Sequence, residues 1–174
     1  MNPVIENIIS RRSTRNFKSE MLPKNIIDEI INAGLWAASG KNRQSTIIIA
    51  VTNKELRDKI SKINCKIGGW QEDFDPFYGA PVILIVLADK QFPNKIYDGS
   101  LVMANLMLAA NSLGIGSCWI NRAREEFEMD EYKNFLKSLG ITGDYEGIGH
   151  CALGYIAEET KAHERKPGRV FYVE

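Results

Sequence analysis

The run Pro81-Val82-Ile83-Leu84-Ile85-Val86-Leu87-Ala88 is the most apolar stretch of this chain and the strongest constraint on how it can fold. A strand that alternates can leave one face in water. An unbroken apolar strand has to be central, with cover on both faces. The chain has 174 residues, enough for one domain, spanning 1–174, to bury a core without disulfides or structural metal. Helical cover is available. Ile26, Ile27, Ile30, Ile31 and Leu35 recur at the helical period behind Pro23, which predicts a core-packed helix to about Ala38. Tyr132, Phe135, Leu136 and Leu139 predict another over Met129–Leu139, stopped by Gly140.

A third helix is unusual. From Leu101 to Leu113 nearly every position is apolar or small, behind Asp98-Gly99-Ser100 as a helix start. Such a helix is either wholly internal or covered by core on one side and a second subunit on the other. Four further strands are expected: a buried one at Thr46–Val51, then Ile115–Asn121, Gly147–Ile156 and a last one at Val170–Val173. Lys54–Ile63 reads as a short helix, and the stretch from Asn64 to Gly79 has no period, as in a binding loop or a plain surface excursion.

The candidate chemistry begins at Arg11-Arg12-Ser13-Thr14-Arg15, just after an amphipathic run of Val4, Ile5, Ile8 and Ile9. Permanently charged guanidinium groups with a hydroxyl can grip phosphate oxygens. The same cations would also suit a solvated helix end, where they complement the dipole. A second basic group, Lys161, His163, Arg165, Lys166 and Arg169, is either a hydrated turn or a set that converges with Arg11 on one anion. Lys+Arg and Asp+Glu both total 22, so no global field recruits nucleic acid or an anionic membrane. Met1–Glu6 has no leader-like character and no apolar run reaches spanning length, so a soluble cytoplasmic protein is expected. Cys65, Cys118 and Cys151 are far apart and fit buried free thiols, and two histidines give no basis for a zinc site.

In order along the chain, these landmarks resemble the FMN-dependent nitroreductase family. Arg11–Arg15 is similar to its RRSxR signature, and Ser39-Gly40-Lys41-Asn42-Arg43-Gln44 to its SxxNxQPW loop, with Ser45-Thr46 in place of Pro-Trp. Leu113–Ile120 resembles LGxGxxxI, and Leu153-Gly154-Tyr155 with Glu164-Arg165-Lys166-Pro167 resembles the LGY…PRKP ending. The resemblance implies an α+β, sandwich-like nitroreductase fold with a mostly antiparallel mixed sheet flanked by helices, as an intertwined homodimer. It implies FMN as cofactor, NAD(P)H as co-substrate and a nitroaromatic, quinone or similar acceptor in a ping-pong cycle. Arg11, Ser13 and Arg165 would hold the phosphate, with Arg12 nearby and His163 and Lys166 as further candidates. Arg15 would face the N1/C2=O edge, and Trp119, Ile120 and Asn121 would lie against the ring near N5. Ser39, Gly40, Asn42 and Gln44 would reach the flavin of the partner subunit. The family's contacts before the central strand fall at Asp73 and Pro76, which leaves that side without an equivalent pair. No side chain is assigned as general acid or base. A flavin binder without turnover and a specialised enzyme such as a dehalogenase share the same motifs.

Overall fold

A computed structural model describes residues 1–174. In chain order the elements are α1 (Pro3–Ser10), α2 (Lys24–Leu35), a short 3-10 turn (Gly40–Asn42), β1 (Thr46–Val51), α3 (Lys54–Gly68) and β2 (Val82–Asp89). They continue with α4 (Lys95–Ser112), β3 (Gly116–Ile120), α5 (Ala123–Glu128), α6 (Asp130–Ser138) and β4 (Tyr145–Gly154). The sheet runs β1-β2-β4-β3, and each neighbouring pair is antiparallel. The expected parallel component is reduced to an isolated bridge between Ser13 and Ser117.

The apolar run does what its composition demands. Residues Val82 to Ala88 are all fully buried, and the two-residue period of the strand divides them between two cores. Ile83, Ile85 and Leu87 pack with Ile60 of α3, Phe127 of α5 and Leu136 of α6. Val82, Leu84 and Val86 pack with Ile27 and Ile30 of α2 and with Val102, Met103 and Leu106 of α4. Each such side chain contributes roughly 1.5–3 kcal/mol on burial, so β2 alone anchors both layers.

Several expectations are corrected. β1 is half-buried because it is an edge strand with one neighbour. α2 ends at Leu35, which with Trp36 is largely exposed. α3 continues to Gly68, so the irregular stretch is shorter, and its turn is tied down by Asp75. That carboxylate accepts from Arg57, from Ser61 Oγ at 2.7 Å, and from the Phe77 and Gly79 amides at 3.0 and 2.8 Å. α4 starts at Lys95, because Asp98 is not a cap: it is buried and receives the Gly40 amide at 2.9 Å and Ser45 Oγ at 3.4 Å. α5 was not foreseen. Residues 170–173 form no strand and are 70–98% exposed. The apolar face of α1, Val4, Ile5, Ile8 and Ile9, is exposed as well. All three cysteines are buried free thiols, and no helix is long and apolar enough to cross a membrane.

Candidate functional site

The basic signature lies along the outer edge of β3. The Thr14 amide donates to Ser117 O at 2.9 Å, and the chain then pairs with the residues after β4: Lys18 N with Tyr155 O at 2.9 Å, and Ala157 N with Asn16 O at 3.0 Å. This close approach needs Gly116, since a Cβ there would stand 2.7 Å from Thr14 Oγ1. Backbone pairing therefore fixes Arg11, Ser13 and Arg15 on one edge of the sheet.

The two readings of the arginines divide by residue. Arg12 turns back, its Nη1 donating to Ile9 O at 2.7 Å and Arg11 O at 2.8 Å, so it serves as the helix-end cation. Arg11 is different. Its Nη1 is buried and has no partner, an arrangement that costs free energy until an acceptor arrives. Arg15 and Arg11 both act on the Cys118 thiol, as does a hydrogen bond with Ser13, although burial dominates and pushes that thiol up. The bridge between Ser13 and Ser117 and the Thr14 amide bond to Ser117 O keep all three residues alongside β3. Ser117 Oγ and Trp119 Nε1, further along the strand, are buried without partners too, and the Trp119 indole lies across Gly149, where a Cβ would meet Nε1 at 2.5 Å.

Two hollows flank this edge. One of about 330 Å³ is lined by Ser10, Arg12, Thr14, Asn111, Gly116 and Thr160 among others, and a polar one of about 350 Å³ by Arg15, Asn16, Glu158 and Lys161 among others. The chain beyond β4 arrives here: Thr160 Oγ1 donates to Ser13 O at 3.3 Å, and Asn16 Nδ2 to Glu158 at 3.5 Å. The convergence stops short of the expected residues. Arg165 has no polar partner and Lys166 offers only its carbonyl to Arg169, both being exposed.

The Ser39–Gln44 loop is elsewhere. Ser39 Oγ accepts the Gln44 amide at 3.0 Å, Gln44 Nε2 donates to Asn42 at 3.1 Å, and Lys41, Asn42 and Gln44 hold positive φ near 50°. Gly40 and Ser45 fasten this loop to Asp98 in the first turn of α4, which gives Ser45 a role where the family pattern has proline. Asn111, in the last turn of α4, is bonded instead to Asn7 Oδ1 at 2.7 Å and to Ser10 Oγ at 3.2 Å, just before Arg11. At 1.5 Å per residue Asp98 and Asn111 stand roughly 20 Å apart along α4, so the two halves of the expected site are fastened to opposite ends of one helix.

One buried polar cluster was not foreseen. Asn64, Glu126 and His150 form a fully buried polar network beneath the end of β3. Asn64 Nδ2 donates to Glu126 Oε1 at 2.8 Å and to Asn121 O at 2.9 Å, and His150 contacts Glu126 Oε2 at 2.7 Å and Ile120 O at 3.4 Å. Isolated polar letters in apolar runs gave no signal for it.

An α+β domain that gathers two arginines, a serine and unpartnered donors on one sheet edge has the makings of a site for a phosphorylated, flat ligand. Comparison with known proteins identifies the lineage. The Nitroreductase family profile matches residues 8–67 and 70–155, and the chain belongs to that family. It is similar to a Bacteroides fragilis nitroreductase with bound FMN (30% identity, all of both chains, TM-score 0.88) and to a Desulfitobacterium hafniense nitroreductase with bound FMN (28%, all of both chains, TM-score 0.88). A Bacillus subtilis FMN reductase [NAD(P)H] is 30% identical over 81% of this chain and 66% of its own length.

Proposed function

We propose that this chain is an FMN-dependent oxidoreductase that takes reducing equivalents from NAD(P)H and passes them to a nitroaromatic, quinone or similar small acceptor in a ping-pong cycle. The observation that carries this reading is the buried, unpartnered Arg11 Nη1 beside Ser13 and Arg15 on the edge of β3. An FMN phosphate supplies the acceptor that Arg11 lacks, and charge-assisted bonds of this kind are the strong ones. The cofactor supplies the redox chemistry. The chain's own residues bind and orient it: Arg11 and Ser13 hold the phosphate, Arg15 offsets negative charge on the pyrimidine edge, and the backbone at Trp119–Asn121 backs the ring. No side chain is required to move a proton.

The working unit in this reading is an intertwined homodimer. A site whose halves are separated by the length of α4 becomes whole when a second copy lays its Ser39–Gln44 loop, with Asn42 and Gln44, against the Arg11 cluster of the first. Exposed apolar surface on α1 and at residues 170–173, together with the open edge of β1, supports such an exchange. It would also bring Arg165 and Lys166 to the phosphate. The whole of 1–174 acts as one domain, and three reduced, buried thiols suit the cytoplasm.

Steady-state oxidation of NADH and NADPH by FMN-loaded protein, with and without a quinone or nitroaromatic acceptor, tests the reading. Acceptor-dependent turnover supports it. Bound FMN that neither nicotinamide reduces would leave a flavin binder.

A further inference from the structure

Beneath the proposed ring site the chain leaves β3 in an unusual way. Ile120 and Asn121 both direct their carbonyls inward, to His150 Nδ1 and Asn64 Nδ2 respectively. In a trans peptide the N–H of the next residue points opposite to the carbonyl. The Asn121 and Arg122 amides therefore both point away from the network, and neither has a hydrogen-bond partner in the protein. Arg122 adopts a left-handed conformation, φ 81°, the kind of turn that sets successive N–H groups on one side.

The Ile120 carbonyl faces His150 within the β3–β4 pairing, and the turn that follows is backed by a buried set drawn from three elements: Asn64 on α3, Glu126 on α5 and His150 on β4. Asn64 spends both N–H bonds, one on the Glu126 carboxylate and one on Asn121 O. The His150 ring stands between two acceptors, Glu126 Oε2 and Ile120 O. All three side chains are fully buried, so no water competes for these contacts and the orientation they impose is set by the protein alone.

We propose that Asn64, Glu126 and His150 are positioning residues for the flavin, holding the Asn121 and Arg122 amides unpaired and aimed at the electron-rich N5/O4 side of the ring. This rests on the FMN reading above. Neither amide can perform that role if the carbonyls are free to rotate, because the peptide planes turn with them. Donors already oriented toward the ring require no reorganisation when charge shifts on it.

The test compares wild type with Asn64→Leu and Glu126→Gln in the flavin-free dimer. Amide NMR reads the Asn121 and Arg122 signals as FMN is added, and the bound flavin's visible spectrum and its reduction by NAD(P)H are followed in the same samples. In wild type both signals move downfield on binding. In Asn64→Leu the shift is expected to shrink by more than half, the flavin band to move, and reduction to slow about 10- to 100-fold, with FMN affinity changed less than about threefold. Glu126→Gln keeps the shape, so it gives the same answer if Asn64→Leu fails to fold. Folded variants with wild-type amide shifts, spectrum and reduction rate would overturn the positioning role and leave the FMN reading intact. Wild type that takes up no FMN would overturn both.

Discussion

The Asp98 carboxylate receives the Gly40 amide at 2.9 Å, so the first turn of α4 carries one half of the expected site while its last turn, through Asn111 and Asn7, carries the other. Asp98→Ala leaves the Gly40 amide and the Ser45 hydroxyl without their acceptor. Denaturant unfolding should show a loss of about 1–3 kcal/mol. Flavin affinity should fall with it if the loop completes the neighbouring copy's site as proposed. An unchanged unfolding midpoint would mean that the loop is held by other contacts.

Arg11 and Arg12 are adjacent in sequence and divergent in role. Arg11→Ala should weaken FMN binding by about 2 kcal/mol, the worth of a charge-assisted contact removed. Arg12→Ala should instead cost about 1 kcal/mol of stability by freeing the α1 carbonyls, with little effect on the flavin titration. The reverse order of effects would show that Arg12, not Arg11, meets the phosphate.

Asp75 sets an acid limit on stability. Burial alone would raise its carboxyl, but hydrogen bonds from Arg57, Ser61 and the Gly79 amide outweigh burial and hold it below its ordinary 3.8. A folded-state value below the unfolded one contributes stability above the unfolded value and loses it as pH falls through the folded one. Wild type should therefore lose stability from about pH 4 downward. Asp75→Asn should be less stable by about 2 kcal/mol at neutral pH and show a shallower acid limb. Parallel acid profiles for the two proteins would contradict the assignment.

The exposed end of the chain gives a prediction about assembly. Removing residues 169–174 takes away Val170, Phe171, Tyr172 and Val173, none of which packs on its own chain. Sedimentation should show a weaker dimer, while the far-ultraviolet spectrum of the domain stays unchanged. A truncated chain that dimerises as before would place the interface elsewhere.

Much of the layered fold is legible in the sequence because burial imposes period. β2 is apolar from Val82 to Ala88 since both its faces are covered, and α2 and α6 show the 3.6-residue repeat of helices packed on one side. Where a polar group is satisfied by a distant partner, local pattern is silent or misleading. Asp98 reads as a helix cap, yet its carboxylate is claimed by a loop 58 residues away. Asn64, Glu126 and His150 look incidental one at a time, because only the fold brings α3, α5 and β4 together under Ile120. Residues 170–173 have strand composition and no strand, because no edge of their own sheet receives them. The motif Arg11–Arg15 marks the candidate edge, but which guanidinium is left without a partner depends on Arg12 reaching Ile9 O.

The central claim is that each of two flavin sites is built by two copies together, from opposite ends of their α4 helices. Titrating flavin-free protein with FMN at concentrations spanning the dimer–monomer transition tests it most directly. The expected result is one FMN per chain in the dimer, with affinity that disappears in step with dissociation. A monomer that binds FMN as tightly as the dimer, or a dimer that binds none, would contradict it.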